Sequence, residues 1–269
     1  MYTKHHKYRQ LFSNFSYLSI SQLFNILFQI IAFPFLIKIL GTNNYGLMVF
    51  VESIIIYFAI IINFGFDITA TKQISINRDN PEKLNEIVSS IYIIKMILFL
   101  ISILLISIIT YFFEILSSNR ILVLFTLWKC FYEILFPFWF FQGIEKMKYI
   151  AFLNILSKTF YLILIFSLIE SKEDLVMVPA INLLSVITFG LIAQWIVFYK
   201  FKISFYLPPY DTVKKYFSEA KYVFFSNLST RLYVSTNKVV LGGITGMSSV
   251  AIYDLAEKII AVLKIPQKM

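Results

Sequence analysis

The stretch Phe33–Phe66, FPFLIKILGTNNYGLMVFVESIIIYFAIIINFGF, decides how the rest of the chain is read. Two apolar runs flank the polar turn Gly41-Thr42-Asn43-Asn44, Pro34 interrupts the first, and Asn63-Phe64-Gly65-Phe66 ends the second. Runs this long with so few charges belong in lipid, and two joined by a short turn make a membrane-spanning hairpin. Glu52 is the exception, because an acid well inside a span needs something polar to face. At 100° per residue Tyr45, Glu52, Ala59 and Asn63 fall on one stripe, which gives the hairpin a polar face.

The remainder of the sequence has the same character. Of its 269 residues 59% are hydrophobic and only 14% charged, where a soluble domain carries about 25% charged residues. Eight apolar segments are predicted, at roughly Leu11–Leu40, Tyr45–Phe66, Ile87–Phe113, Ile121–Phe141, Ala151–Ile169, Leu175–Phe198, Ala220–Leu241 and Ala251–Ile265. The seventh is weak because it carries Arg231 and Lys238, and the eighth runs into Pro266-Gln267-Lys268-Met269. The first run is about twice the length of a signal-peptide core and has no small-residue cleavage site, so it reads as an uncleaved span. An all-α polytopic membrane protein is the expected class.

Lysine and arginine gather on alternate connections. The N-terminal tail and the segments 67–86, 142–150 and 199–219 are rich in them, whereas 41–44, 114–120 and 170–174 are poor. Cations stay on the cytoplasmic side, which predicts a cytoplasmic N-terminus and accounts for the net charge of +9 with no nucleic-acid partner. Asn80-Pro81-Glu82 is a helix-start signal leading into the third span. Pro208-Pro209 followed by residues 211–217 reads as a breaker and a basic amphipathic turn suited to an anionic membrane surface.

Several spans carry a polar face at helical spacing: Asn14, Ser21, Gln22, Asn25 and Gln29 in the first, Thr126, Lys129 and Glu133 in the fourth. The fifth has Asn154, Lys158 and Tyr161, and the seventh has Asn227, Arg231, Ser235 and Lys238. Plain structural roles compete for each. Lys129 and Glu133 are spaced to neutralise one another, Lys95 is near enough to the cytoplasmic end to snorkel, and amides bond across helices. Taken together, the faces imply a water-accessible cavity with more cations than anions, a setting for an anionic, phosphate-like substrate. Cys130 reads as a buried, inert thiol, and His5-His6 as part of a solvated tail. No metal-ligand, nucleotide-loop or redox motif occurs, and neither a cofactor nor enzymatic machinery is expected.

Some of these residues form a pattern. Phe33-Pro34-Phe35-Leu36, Leu40-Gly41, Asn44-Tyr45-Gly46 and Phe64-Gly65-Phe66 resemble the first hairpin of the Wzx-type O-antigen and capsular polysaccharide flippases, in the multidrug/oligosaccharidyl-lipid/polysaccharide exporter superfamily. Thr71-Lys72-Gln73-Ile74 with Asn77-Arg78-Asp79, Phe138–Met147 and Tyr253-Asp254-Leu255-Ala256-Glu257-Lys258 continue the likeness in order along the chain. Lys72 stands where that pattern usually has Arg. The resemblance implies a transporter of two six-helix lobes around a central cavity, here a complete lobe at 1–198, a cytoplasmic amphipathic linker at 199–219, and an incomplete second lobe at 220–269, truncated in its eighth span. It further implies movement of an undecaprenyl-pyrophosphate-linked oligosaccharide across the bacterial inner membrane by alternating access, beside polysaccharide polymerase machinery.

From the helical faces, Arg231 and Lys129, with Lys158 or Lys238, are expected to hold the pyrophosphate, and Asn25 and Gln29 to meet sugar. Glu52 and Glu133 are the expected coupling or counter-ion acids. A multidrug-type cation antiporter of the same superfamily, and a membrane-embedded polymerase or acyltransferase, are the alternatives.

Overall fold

A computed structural model describes residues 2–263, with the side chains of 2–8, 10, 11, 227, 229–235, 262 and 263 excepted. Every regular element among the described residues is helical. The first, α1 (Tyr2–Asn63), is broken at Gly41, the one residue in it outside helical φ/ψ. Phe33 and Tyr45 are twelve residues apart and would lie about 18 Å apart along an unbroken helix. Their rings instead meet edge-on at 5.0 Å, so the chain doubles back at Gly41 into two arms. The turn is tighter than the four residues expected, since helix resumes at Thr42. Pro34 is carried without leaving helical φ/ψ.

Gly41 has φ 76° and ψ 163°, a region open to little besides glycine. A Cβ there would find room, its nearest neighbour being Lys172 Cε at 3.7 Å. Gly41→Ala is therefore expected to lower stability through backbone strain alone, by about 1–3 kcal/mol, read as an earlier thermal transition of the detergent-solubilised protein.

After the hairpin come α2 (Phe66–Ile76) and α3 (Pro81–Phe112). The start signal works as read: Pro81 is the first helical residue and the Asn80 side chain accepts from the Lys83 N–H. Short helices α4 (Glu114–Ser117), α5 (Arg120–Thr126), α6 (Trp128–Leu135) and α7 (Phe138–Gly143) follow. Next are α8 (Met147–Leu168), a 3-10 turn at Lys172–Val176 and α9 (Met177–Trp195), which ends in a π turn at Ile196–Lys200. The 3-10 turn opens with a capping box in which the Asp174 carboxylate accepts from the backbone N–H groups of Glu170 and Ser171. Last, α10 (Tyr210–Ile244) and α11 (Met247–Leu263) form a second hairpin.

Five helical stretches among the described residues are long and apolar enough to cross a membrane: Phe12–Ile76, which holds both arms of the first hairpin, Pro81–Phe112, Arg120–Gly143, Met147–Leu168 and Lys172–Lys200. The protein is an all-α polytopic membrane protein. One buried core joins the α1 arms to α5, α6, α8, α9 and α11 around Leu40, Val51, Ile62, Leu122 and Ile165. A second, aromatic core lies around Phe66, Ile87, Phe140 and Phe141. Residues 211–217 belong to the first two turns of α10, which continues unbroken past residue 220. That helix runs antiparallel to the second arm of α1, with Tyr57 Oη donating to Thr236 Oγ1 at 3.0 Å and Phe64 stacked on Phe224.

Pro137 explains the gap between α6 and α7. In a continuous helix its N–H would bond the Glu133 carbonyl, and proline has none. Lys95 Nζ fills the vacancy at 2.6 Å, where a cation also suits the negative end of α6. The next two carbonyls, Ile134 and Leu135, accept from Gln194 Nε2 at 3.2 and 2.8 Å. Non-helical backbone within a span is tolerated when its polar groups are met in this way.

Candidate functional site

A cavity of about 500 Å³ lies between α1, α6, α8, α9 and α11. The polar stripes converge there. Asn25 and Gln29 come from the first arm of α1, Tyr45 and Glu52 from the second, Lys129 and Glu133 from α6, and Asn154, Lys158 and Tyr161 from α8. Six of the eight residues predicted from the sequence therefore line one space. Lys238 does not line it, and the Arg231 side chain lies outside the described residues.

The ion pairs correct two expectations. Lys129 and Glu133 do not neutralise one another: Lys129 Nζ reaches across to Glu52 Oε2 at 3.1 Å and sits 4.3 Å above the Trp128 ring. Glu133 takes other partners, accepting from Asn63 Nδ2 at 2.9 Å and standing 3.6 Å from Lys95 Nζ. Nor does Lys95 snorkel. It is 1% exposed, held by the carbonyl that Pro137 leaves open. A tertiary partner three helices away outcompetes the i,i+4 neighbour because it also satisfies the broken backbone.

Lys258 was missed by the sequence reading. It lines the cavity from α11, donates to Tyr45 Oη at 2.7 Å and pairs with Asp254 Oδ2 at 2.7 Å. Asp254, 3% exposed, also accepts from Tyr45 Oη at 2.8 Å and from Lys238 Nζ at 2.6 Å. Lys238 completes the cluster with Glu257 at 2.9 Å. The i,i+4 spacing of Asp254 and Lys258, four residues apart within a segment already set aside for its pattern, was the available signal. Asn182 and Ser185 on α9 were also missed, and one turn of helix puts both on the cavity wall.

Amides and hydroxyls form a ladder along one side. Asn154 Nδ2 donates to Ser21 Oγ at 2.8 Å and to Asn25 Oδ1 at 3.1 Å, and Ser157 and Ser185 share a bond of 2.8 Å. Of the first-arm stripe, Asn14 instead donates to the Glu145 carbonyl and Gln22 is exposed. Thr126 is buried and donates to its own helix at Leu122.

Pairing off the charges leaves a remainder. Lys95 meets Glu133, Lys129 meets Glu52, Lys258 meets Asp254 and Lys238 meets Glu257. Lys158 lines the cavity with no ion-pair partner among the described residues, its Nζ 4.7 Å above the Phe28 ring. Among the described residues, the cavity and its direct counter-ions thus carry one uncompensated positive charge.

Fold and cavity define a polytopic helical membrane protein with a polar, cationic interior space. The family described as polysaccharide biosynthesis protein matches residues 11–265, and the chain belongs to it. It is 26% identical over 246 residues to a protein of Escherichia coli (strain K12) named "Putative O-antigen transporter", across 91% of this chain and 59% of that protein. A Shigella dysenteriae protein of the same name is 25% identical over 238 residues, across 87% of this chain and 59% of its own. The chain spans about three-fifths of the length of these curated relatives. No solved structure matches it.

Proposed function

We propose that the protein carries an anionic lipid-linked glycan, an undecaprenyl-pyrophosphate-linked O-antigen or capsule repeat unit, from the cytoplasmic to the outer leaflet of the bacterial inner membrane. The observation that carries this reading is Lys158. An unpaired ammonium inside a bilayer is costly, and a pyrophosphate oxygen is the kind of group that offsets it. The ladder of Asn25, Asn154, Ser157 and Ser185, with Gln29 beside it, offers the neutral donors and acceptors that sugar hydroxyls require. Lys129 and Glu52 neutralise one another at rest and are free to exchange partners when the phosphate arrives, which fits Glu52 for the part of counter-ion.

Transport by rocking of two lobes about the cavity is the mechanism we infer. In that scheme Gly41 lies on the outer side and the connections carrying Lys72, Arg78, Lys146 and Lys148 lie in the cytoplasm, as their charge favours. Arg231 and Lys238 belong to the same proposal as further cations on α10, and Glu133 as a second counter-ion.

The test is a strain whose chromosomal gene carries Lys158→Ala. A charge-assisted hydrogen bond is worth about 1.5–3 kcal/mol, so surface polysaccharide made through this protein should fall by roughly ten- to a hundredfold, with Lys158→Arg largely retained. Unchanged polysaccharide in Lys158→Ala, with protein levels matched by immunoblot, would remove the basis for an anionic substrate. Raised tolerance to cationic dyes in the wild type that Lys158→Ala increases further would favour the antiporter alternative, since a cation gains from losing Lys158.

A further inference from the structure

A second, smaller cavity of about 170 Å³ lies away from the first, between α3 and the start of α10. Its walls are Ile94, Ile97 and Leu98 on one side and Val213 and Phe217 on the other. Among the described residues Lys214 is the one charged residue lining it, with Nζ 5.8 Å from the centre of the Tyr210 ring, which also lines the space. We infer that this groove binds an anionic phospholipid, with an acyl chain between α3 and α10 and the headgroup phosphate on Lys214.

Position and charge both point to that occupant. Up to Ile94 and Lys95 the α3 side chains Ile87, Val88, Ile91 and Ile94 are buried in the aromatic core. From Met96 onward α3 turns Met96, Ile97, Leu100, Ile101 and Leu104 outward as exposed apolar residues, the surface that faces lipid in a membrane-spanning helix. The groove therefore sits where the acyl region begins. The exposed Tyr210 lines it, the kind of ring that collects at a headgroup boundary. Neither Lys214 nor Lys215 has an ion-pair partner among the described residues, and the nearby Glu86 is already engaged by Lys83 and Tyr216. Asp211 is exposed on the first turn of α10 and makes no ion pair with either lysine. A zwitterionic headgroup brings its own cation beside these lysines, whereas an acidic one adds a net negative charge that compensates Lys214.

Native mass spectrometry of the detergent-released protein, offered equal amounts of phosphatidylglycerol and phosphatidylcholine with the same acyl chains, tests this. Phosphatidylglycerol should be retained preferentially, and Lys214→Gln should reduce that preference about fivefold, the factor that corresponds to about 1 kcal/mol per surface lysine. Lys200→Gln, whose ammonium lies over the Tyr149 ring and does not line the groove, should leave it unchanged. Ile97→Trp and Val213→Trp, which fill the groove from opposite walls, should each reduce retention of both lipids, so that one misfolded variant does not decide the outcome. Equal retention of the two lipids by the wild type, or an unchanged preference in Lys214→Gln, overturns the assignment. So does displacement of phosphatidylglycerol from the groove by an added polyprenyl phosphate, because the site would then belong to the carrier lipid.

Discussion

Asp254→Ala is expected to cost the protein about 3 kcal/mol of stability, the low end of what removing one partner of a buried ion pair costs. The carboxylate is almost wholly buried and holds three donors, Lys238, Lys258 and the Tyr45 hydroxyl, at 2.6–2.8 Å. Two features keep the loss from the top of the range. Lys238 retains Glu257, and Lys258 opens onto the cavity, where water reaches its ammonium. In thermal unfolding of the purified protein the shift should be roughly 5–10 °C downward. Asp254→Asn should lose most of the same amount, since it keeps the shape but not the charge. Adding Lys258→Met to Asp254→Asn should recover part of it, because the orphaned cation is then gone. If Asp254→Asn unfolds with the wild type, the ion cluster contributes nothing to holding α11 against α1.

Gly46→Ala should be as damaging for a different reason. A Cβ at that position would lie 1.8 Å from the carbonyl oxygen of Met247 and 2.5 Å from its carbon. The obstacle is backbone, so no rotamer change relieves it, and the second arm of α1 would have to part from the start of α11. Overpacking of this kind costs about 1–3 kcal/mol and occasionally more, and the upper figure applies. Gly243→Ala is the matched control, because a Cβ there meets nothing within 4 Å and the last turn of α10 gains in propensity at most the lower end of about 0.5–1 kcal/mol. The two variants should move the thermal transition in opposite directions. Equal behaviour would mean that α11 is not seated against α1 as described.

Much of this arrangement could be read from the chain. The hairpin at 33–66 follows from two apolar runs and a glycine turn, and the 100° period placed Asn25, Gln29, Glu52, Lys129, Glu133 and Lys158 on faces that meet at one cavity. Spacing within a helix says which way a side chain points, and that was enough to locate a shared interior. Partner choice was not legible. Lys129 takes Glu52 because two helices bring those faces together, while Glu133 four residues on is claimed by Lys95. Gly46 looks like part of a turn in sequence, yet it is helical and serves close packing, a fact that depends on where Met247 arrives 201 residues later. Lys258 entered the cavity for the same reason, through a helix whose docking site no local pattern announces.

Pro137 and Lys95 also bear on how the chain enters the bilayer. Lys95 lies in α3, and its counter-charge is synthesised 38 residues later on α6, so α3 must insert carrying a lone cation. A lysine at the centre of an inserting helix costs about 2.5–3.5 kcal/mol, and Lys95, at the start of the lipid-facing stretch of α3, costs less than that. Eighteen of the 32 residues of α3 are Leu, Ile, Val or Phe, which together favour insertion by on the order of 5 kcal/mol or more. On that balance α3 is expected to insert without its partner. The isoleucine and leucine of that helix are expected to offset the unpaired charge during insertion until the proline-broken segment supplies its partner.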